Sequence, residues 1–212
     1  MPLNKLNTSK LIQLLNRSIK KPKTSLKYRN QFTLLTSVVL SAQCTDVNVN
    51  NVTKNIYKKY YRPKHFVDLG IIKIKKMIKS IGLVNMKAKN LFNLSKILVE
   101  KYKSKVPNNF EDLIKLPGVG RKTANVVLNA AFNKPTIAVD THVFRVSNRT
   151  GLTQGKNPDQ VEKQLLEILP TKYLKKAHHL ILLHGRYICK SRNPLCIKCV
   201  INKICLYKDK NV

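Results

Sequence analysis

Apolar residues recur every three or four positions along almost the whole chain, which is the spacing of one face of an α-helix. The pattern begins at residues 11–19, with Ser9 as a candidate N-cap. A denser apolar run at residues 32–42 predicts a buried helix, Asp46 is placed to cap the next helix, and Pro63 to end it. No Asn-Gly turn or alternating strand pattern interrupts this periodicity, so the sequence predicts an all-α protein. Further helices are predicted over residues 66–79, 87–102, 110–115, 121–132, 141–149, 159–169 and 173–187.

The charge of the chain indicates a class of partner. Among 212 residues, 41 are Lys or Arg and 10 are Asp or Glu, which gives a formal net charge of +31. Such a chain attracts polyanions, so nucleic acid is the first partner to consider. The 33 lysines outnumber the 8 arginines, and a codon bias toward A and T would produce the same excess. Because lysine contacts phosphates as a point charge, the composition indicates polyanion binding without sequence specificity.

Composition also limits the class of protein. A hydrophobic content of 43% is that of a globular chain, and five cysteines are too few for a disulfide scaffold. The longest apolar stretch, residues 32–42, is interrupted by Ser and Thr and is too short to span a bilayer. We therefore expect a cytoplasmic protein with reduced thiols and no membrane partner, associated with the nucleoid if the source is bacterial; a nuclear or organellar enzyme is the alternative.

The segment Leu116–Ala124, LPGVGRKTA, predicts a tight turn between two helices. Gly118 and Gly120 permit positive φ and a close approach of another backbone. The first turn of the following helix presents N–H groups and the positive end of the helix dipole, which suit a phosphate. We expect this turn to bind a nucleic-acid backbone without reading bases; the alternative is a simple connection between helices.

Lys122 and Asp140 are the candidate catalytic pair. Lys122 follows Gly120 by two positions, where the helix dipole disfavours an ammonium and so favours a neutral, nucleophilic amine. We expect burial to act in the same direction. Asp140 is the only carboxylate between Asp112 and Asp159, and it can either cap the following helix or stabilise a cationic transition state.

Four cysteines near the end of the chain have the spacing C-x6-C-x2-C-x5-C. Cysteines this close in a reduced compartment are metal ligands more often than disulfides. Spacing alone leaves zinc and a 4Fe–4S cluster both open, since four thiolates suit either. The loop after the first cysteine carries Lys190 and Arg192, which are placed to contact phosphates. The ligand candidates are Cys189, Cys196, Cys199 and Cys205.

The segments 116–132 (LPGVGRKTANVVLNAAF) and 135–152 (PTIAVDTHVFRVSNRTGL) together closely resemble the helix-hairpin-helix DNA glycosylases with a Gly/Pro-rich loop and an Asp, and most closely the endonuclease III family. The resemblance implies a two-lobed, all-α fold in which DNA binds between the Lys122 side and the Asp140 side. A six-helix barrel with the hairpin would span residues 24–134. An iron–sulfur lobe would combine residues 1–23 with residues 135–212, which include the cluster loop.

The resemblance also assigns roles. It implies a monomeric base-excision-repair enzyme that removes oxidised pyrimidines from double-stranded DNA and cleaves the strand at abasic sites by β-elimination. Lys122 would be the nucleophile that forms a Schiff base, and Asp140 the catalytic aspartate. Gln43 would fill the gap left by the flipped base, and Leu83 would be an apolar wedge; without the resemblance they are a helix-end polar residue and a core leucine. The cysteines would hold a 4Fe–4S cluster, and the turn residues that bind DNA are Gly118, Val119 and Gly120.

Three alternatives remain. An adenine-mismatch glycosylase of the same superfamily lacks a lysine at the position of Lys122 and normally carries an extra C-terminal domain, whereas this chain ends seven residues after Cys205. A lyase specific for pyrimidine dimers shares more of the motifs and is harder to separate. A non-catalytic DNA-binding module with a structural metal would explain the charge, the hairpin and the cysteines, but it leaves the combination of Lys122 with Asp140 as a coincidence.

Overall fold

The structure is a computed structural model that describes residues 2–20 and 22–211. Within these residues the chain forms ten α-helices and no strand, so the all-α prediction is confirmed. The helices are α1 (Lys5–Ser18), α2 (Gln31–Leu40), α3 (Asp46–Lys59), α4 (Pro63–Met77), α5 (Val84–Tyr102), α6 (Phe110–Leu113), α7 (Arg121–Phe132), α8 (Thr141–Thr150), α9 (Pro158–Ile168) and α10 (Thr171–Tyr187).

The chain divides into two compact units. The central unit is the continuous segment Ser25–Asn133, which contains α2–α7. The terminal unit combines Met1–Thr24 with Lys134–Val212, so that α1 packs with α8–α10. Each unit has its own apolar core. None of the helices in the described ranges is long and apolar enough to cross a membrane.

The central unit is built around α2, whose residues are all buried except the first. Its start is fixed by a capping box, in which the Asn30 side chain accepts from the Thr33 N–H and the Thr33 hydroxyl accepts from the Asn30 N–H. In the helix interior, the hydroxyl of Tyr57 lies 2.8 Å from those of Thr36 and Ser37. Burial raises the pKa of Tyr57 to about 12, so this core contact stays uncharged.

The terminal unit closes around one face of α1. Leu11, Ile12 and Leu15 on this helix are fully buried, in the same core as Val146 of α8 and Ile181 of α10. Burial of apolar surface of this kind supplies most of the stability of a helical unit. The first and last segments of the chain therefore depend on each other for their core.

Several helix boundaries differ from the predicted ones. The predicted cap Ser9 lies inside α1, which begins at Lys5 with Asn4 as its N-cap. Thr45 caps α3, and Asp46 is its first helical residue, where a carboxylate suits the positive end of the dipole. Pro63 is the first residue of α4 rather than the end of α3, a position at which its missing N–H costs nothing.

Candidate active site and cysteine pocket

The turn between α6 and α7 is anchored by two buried apolar side chains, Leu116 and Val119. The Val119 N–H donates to the Leu116 carbonyl at 3.0 Å. On the flanking helices, the Arg121 guanidinium carbon lies 5.1 Å from the centroid of the Phe110 ring. The structure therefore places Val119 as an anchor that fixes the turn from inside, because its side chain is buried and its N–H is bonded within the turn.

The two glycines of the turn serve different purposes. Gly118 has φ +79, and a Cβ at this position would lie 2.8 Å from Nδ2 of Asn90. Gly120 is the N-cap of α7 with φ −91, which any residue adopts, and a Cβ there would meet no described atom within 4 Å. The expectation of positive φ is thus met only at Gly118. At Gly120 the missing side chain instead leaves open space directly in front of the first turn of α7.

Lys122 is the second residue of α7, and its side chain is exposed. The expectation that Lys122 is buried is therefore wrong for the protein on its own. Lys122 belongs to the central unit and Asp140 to the terminal unit. A joint role requires both units to act on the same substrate.

Asp140 caps α8, since its Oδ1 accepts from the Val143 N–H at 2.8 Å. The capping interpretation of Asp140 is therefore correct. The cap uses only one of the two carboxylate oxygens. The preceding segment is buried, and Nδ1 of His178 lies 2.7 Å from the carbonyl oxygen of Ala138. Asp140 is half-buried, and its carbonyl oxygen also accepts from the Phe144 N–H at 2.8 Å, so its side chain and its backbone are both bonded to the first turn of α8.

Gln43 and Leu83 share an unusual backbone conformation. Both are non-glycine residues in the left-handed region, with φ of 53 and 58, and both are exposed. Leu83 is 48% exposed, so its interpretation as a core leucine is wrong. A Cβ on Gly82 would lie 4.0 Å from the Gln43 carbonyl oxygen, which places the two turns side by side. The central unit therefore presents a polar and an apolar side chain from adjacent strained turns.

The four C-terminal cysteines line one pocket, with about 330 Å3 of space that is partly open to solvent. All four are free thiols. No group of three or more His, Cys, Asp or Glu in the described ranges is arranged to hold a single metal ion. The rest of the lining is mainly apolar and contains no carboxylate, which leaves the thiols as the dominant donors. A polynuclear cluster with one thiolate on each iron fits such a donor set.

The electrostatics of the pocket favour uncharged groups before a metal binds. Burial raises the pKa of Cys199 and of Cys205, because desolvation disfavours a thiolate. Nε2 of His184 lies 3.6 Å from Sγ of Cys199, and burial lowers the pKa of His184 to about 4. Loading a cluster would therefore release protons from the thiols, while the neutral imidazole stays in place.

The loop between the first two cysteines presents its cations to solvent. The side chains of Lys190 and Arg192 are both exposed. The loop backbone is held from α8, where the Arg149 guanidinium donates to the carbonyl oxygens of Lys190 at 2.7 Å and Ser191 at 2.9 Å. Two phosphate-binding candidates are thus carried on a supported backbone.

Sequence reasoning missed the arginines that support this loop. One turn before Arg149, Arg145 donates from Nε to the carbonyl oxygen of Cys189 at 3.2 Å. One signal was available, since only 8 arginines occur in the chain and these two stand four apart in the helix after Asp140. Arginine suits such a position because its planar fork satisfies several carbonyl oxygens at once.

Comparison with known proteins assigns the family. Residues 36–171 match the model of the HhH-GPD superfamily base excision DNA repair proteins. The chain is 55% identical to endonuclease III of Rickettsia conorii over 199 residues, which are 94% of this chain and 95% of the relative. It is 46% identical to endonuclease III of Escherichia coli, over 98% of this chain and 99% of the relative. The chain belongs to the endonuclease III family.

A solved structure agrees with this assignment. The trapped covalent intermediate of an endonuclease III with DNA superposes with a TM-score of 0.90 and 41% identity, over 96% of each chain. The resemblance identified from the two motif segments is confirmed, as is the helix-hairpin-helix glycosylase fold. The enzyme class predicted from it, a base-excision-repair DNA glycosylase with abasic-site lyase activity, is confirmed by family membership.

The two glycines of the turn should respond differently to alanine. We expect Gly118→Ala to lower the free energy of unfolding by ~1–3 kcal/mol, because it forces a left-handed φ on a side chain that also meets Asn90. We expect Gly120→Ala to change it by less than ~1 kcal/mol, since its φ is ordinary and its surroundings are open. Urea unfolding followed by circular dichroism measures both, and equal losses would contradict the assignment.

Proposed function

We propose that the protein removes oxidised pyrimidines from double-stranded DNA and then cleaves the strand at the abasic site, with Lys122 as the nucleophile. The observation that carries this proposal is the exposed amine of Lys122 in the first turn of α7, directly behind the open turn at Gly120. The trapped covalent endonuclease III–DNA intermediate, which is 41% identical to this chain, supports a covalent route.

The DNA backbone binds at Gly120, where no side chain obstructs its approach. A phosphate that approaches Gly120 meets the backbone at the N-terminus of α7 and the positive end of its dipole. The net charge of +31 adds non-specific attraction that weakens as salt rises. These contacts place the DNA without selecting a sequence, which suits an enzyme that must search for rare lesions.

Gln43 and Leu83 separate the damaged nucleotide from its neighbours. The target nucleotide leaves the base stack so that C1′ becomes accessible. Leu83 enters as an apolar wedge, and Gln43 occupies the space left opposite the unpaired base. Their exposed positions on adjacent turns support this division of labour.

The bond changes follow from the pair of Lys122 and Asp140. As the bond from C1′ to the base breaks, the electron pair leaves with the base and the sugar gains oxocarbenium character. The carboxylate of Asp140 stabilises that positive charge. The amine of Lys122 forms a bond to C1′ and gives up one proton, which the departing base accepts. Ring opening, with a proton from water taken up by O4′, gives a protonated Schiff base. Water accepts a C2′ proton as the C3′–O bond breaks and its electron pair leaves with the 3′ phosphate, and hydrolysis of the Schiff base then releases the amine.

The four thiols hold a 4Fe–4S cluster in the terminal unit, which makes this unit the iron–sulfur lobe. When bound, the cluster supplies a rigid link between the cysteines that flank the loop at residues 190–195. Lys190 and Arg192 on this loop contact phosphates, and Arg149 holds the loop backbone from α8. The cysteines and arginines therefore serve docking rather than bond breaking.

All of the proposed site residues belong to one chain, which supports action as a monomer. Its substrate is genomic DNA, and relatives at 46–55% identity come from bacteria. A cytoplasmic protein at the nucleoid fits both points.

Lys122→Ala should abolish covalent trapping. In borohydride with an abasic oligonucleotide, we expect the wild type to form an adduct and Lys122→Ala to form none, since only the Lys122 amine forms the Schiff base. Lys172→Ala is the matched control, because Lys172 is also the exposed second residue of a helix. Denaturing gels measure the adduct, and a wild type that fails to trap would contradict the lyase mechanism.

Asp140→Asn should separate capping from catalysis. Asn caps a helix about as well as Asp, so we expect the free energy of unfolding to stay within ~0.5 kcal/mol of the wild type. Loss of the negative charge should slow base removal by about 10²–10³-fold in single-turnover assays. Asp140→Ala should lose both stability and rate. Full activity of Asp140→Asn would assign this residue to capping alone.

Cys199→Ser should remove the cluster, whereas Cys44→Ser, which changes the one cysteine outside the pocket, should leave it intact. The wild type purified without oxygen should be brown and contain iron and acid-labile sulfide, because four thiolates bind a 4Fe–4S cluster. Absorbance and elemental analysis give the outcome. A colourless wild type with stoichiometric zinc would contradict the cluster.

A further inference from the structure

The turns at Gln43 and Leu83 have strained backbone conformations, and none of the proposed catalytic residues holds them in place. Gln43 and Leu83 both occupy the left-handed region, which non-glycine residues adopt only when their surroundings impose it. Both lie at helix boundaries, Gln43 three residues after the end of α2 and Leu83 as the N-cap of α5. Neither is buried enough to be held by packing of its own side chain.

Lys87 contacts both turns. Its side chain is only 1% exposed, although lysine is almost never buried without a partner. The ammonium Nζ donates to the carbonyl oxygens of Leu40 at 2.9 Å and Ala42 at 2.6 Å. The backbone N–H of the same residue donates to the carbonyl oxygen of Leu83 at 3.0 Å.

One of these acceptors stands directly before a left-handed residue. The Ala42 carbonyl belongs to the peptide plane that precedes Gln43, so holding that plane restricts φ of Gln43. The bond from the Lys87 N–H to the Leu83 carbonyl is the first intrahelical bond of α5, which a substitution of the side chain keeps. The side chain of Lys87 thus restrains the turn at Gln43, and its helix begins at the adjacent turn of Leu83.

The charge of Lys87 suits its location. The ammonium lies at the C-terminal end of α2, where unpaired carbonyls and the negative end of the dipole favour a cation. The last turn of α2 contains no basic residue of its own. Burial lowers the pKa of Lys87, and nearby Cys44 opposes this effect. A buried charge of this kind needs hydrogen bonds to offset its desolvation, and the carbonyls of Leu40 and Ala42 accept them.

We propose that Lys87 is a positioning residue for base extrusion, whose ammonium holds the turn of Gln43 in the conformation that enters the duplex beside Leu83. The proposal rests on the proposed roles of Gln43 and Leu83 as gap filler and wedge. Lys87 itself touches no reacting atom. Its loss should slow only the steps that require a nucleotide to leave a paired duplex.

Lys87→Met tests this, because methionine keeps a long apolar stem and removes the donor. Two rates are compared in the same sample: removal of an oxidised thymine from a duplex, and β-elimination at an abasic site in a single strand. The second substrate has no partner base and needs no extrusion. We expect the ratio of the first rate to the second to fall about 10-fold or more, since small displacements of positioned groups cost up to about 10²-fold.

The ratio is insensitive to partial misfolding, because unfolded molecules lower both rates equally. Lys89→Met is the matched control, since it removes one positive charge from an exposed position on the same helix and should keep the wild-type ratio. Gln43→Ala should itself lower the ratio of the duplex rate to the single-strand rate. Adding Lys87→Met to Gln43→Ala should lower this ratio much less than Lys87→Met does in the wild type, as expected for residues that act through each other.

An unchanged ratio for Lys87→Met would overturn the proposal, and so would losses that multiply in the double variant. If the proposed function itself is wrong, the result is different, because the wild type then does not cleave the single-stranded abasic substrate. A wild type that is active on both substrates and a Lys87→Met variant that is impaired only on the duplex would support the positioning role.

Discussion

The ends of α-helices determine where this protein can act. A helix leaves backbone N–H groups at its start and carbonyls at its end without internal partners, and each of these groups needs a hydrogen bond from elsewhere. Gly120 leaves the start of α7 open, Asp140 fills part of the start of α8, and Lys87 satisfies carbonyls at the end of α2. The proposed catalytic and positioning residues either form hydrogen bonds with the end of a helix or stand next to an end that is left open.

The effect of an individual lysine depends on its position at a helix end, which the net charge does not describe. Most of the 33 lysines can add only a diffuse attraction to phosphates. Lys122 and Lys87 differ because each sits against a helix dipole, Lys122 at the positive end of α7 and Lys87 at the negative end of α2. The carbonyls at the end of α2 accept hydrogen bonds from the Lys87 ammonium and so offset part of the cost of burying it, whereas Lys122 stands in the first turn of α7 with its side chain exposed.

The sequence predicted the helical class, the turn at Gly118 and Gly120, and the family, because these depend on local periodicity and on contiguous motifs. It misplaced the caps at Ser9 and Asp46, since several polar residues near a helix start compete for the capping position. It allowed positive φ at both glycines, and only Gly118 adopts it. Lys87 and the arginines of α8 were missed because their acceptors are backbone carbonyls distant in the chain, which leave no local pattern.

The discontinuous composition of the terminal unit imposes an order on folding. The central unit is one uninterrupted segment, so it can complete its core as soon as Asn133 has left the ribosome. The apolar face of α1, by contrast, is synthesised first and waits for α8–α10 before its leucines can be buried. Until then Leu11, Ile12 and Leu15 lack the apolar partners that α8–α10 contribute to their core. The pocket of the four C-terminal cysteines is lined by residues from Thr150 to Lys210, so it can be completed only after nearly the whole chain has been synthesised.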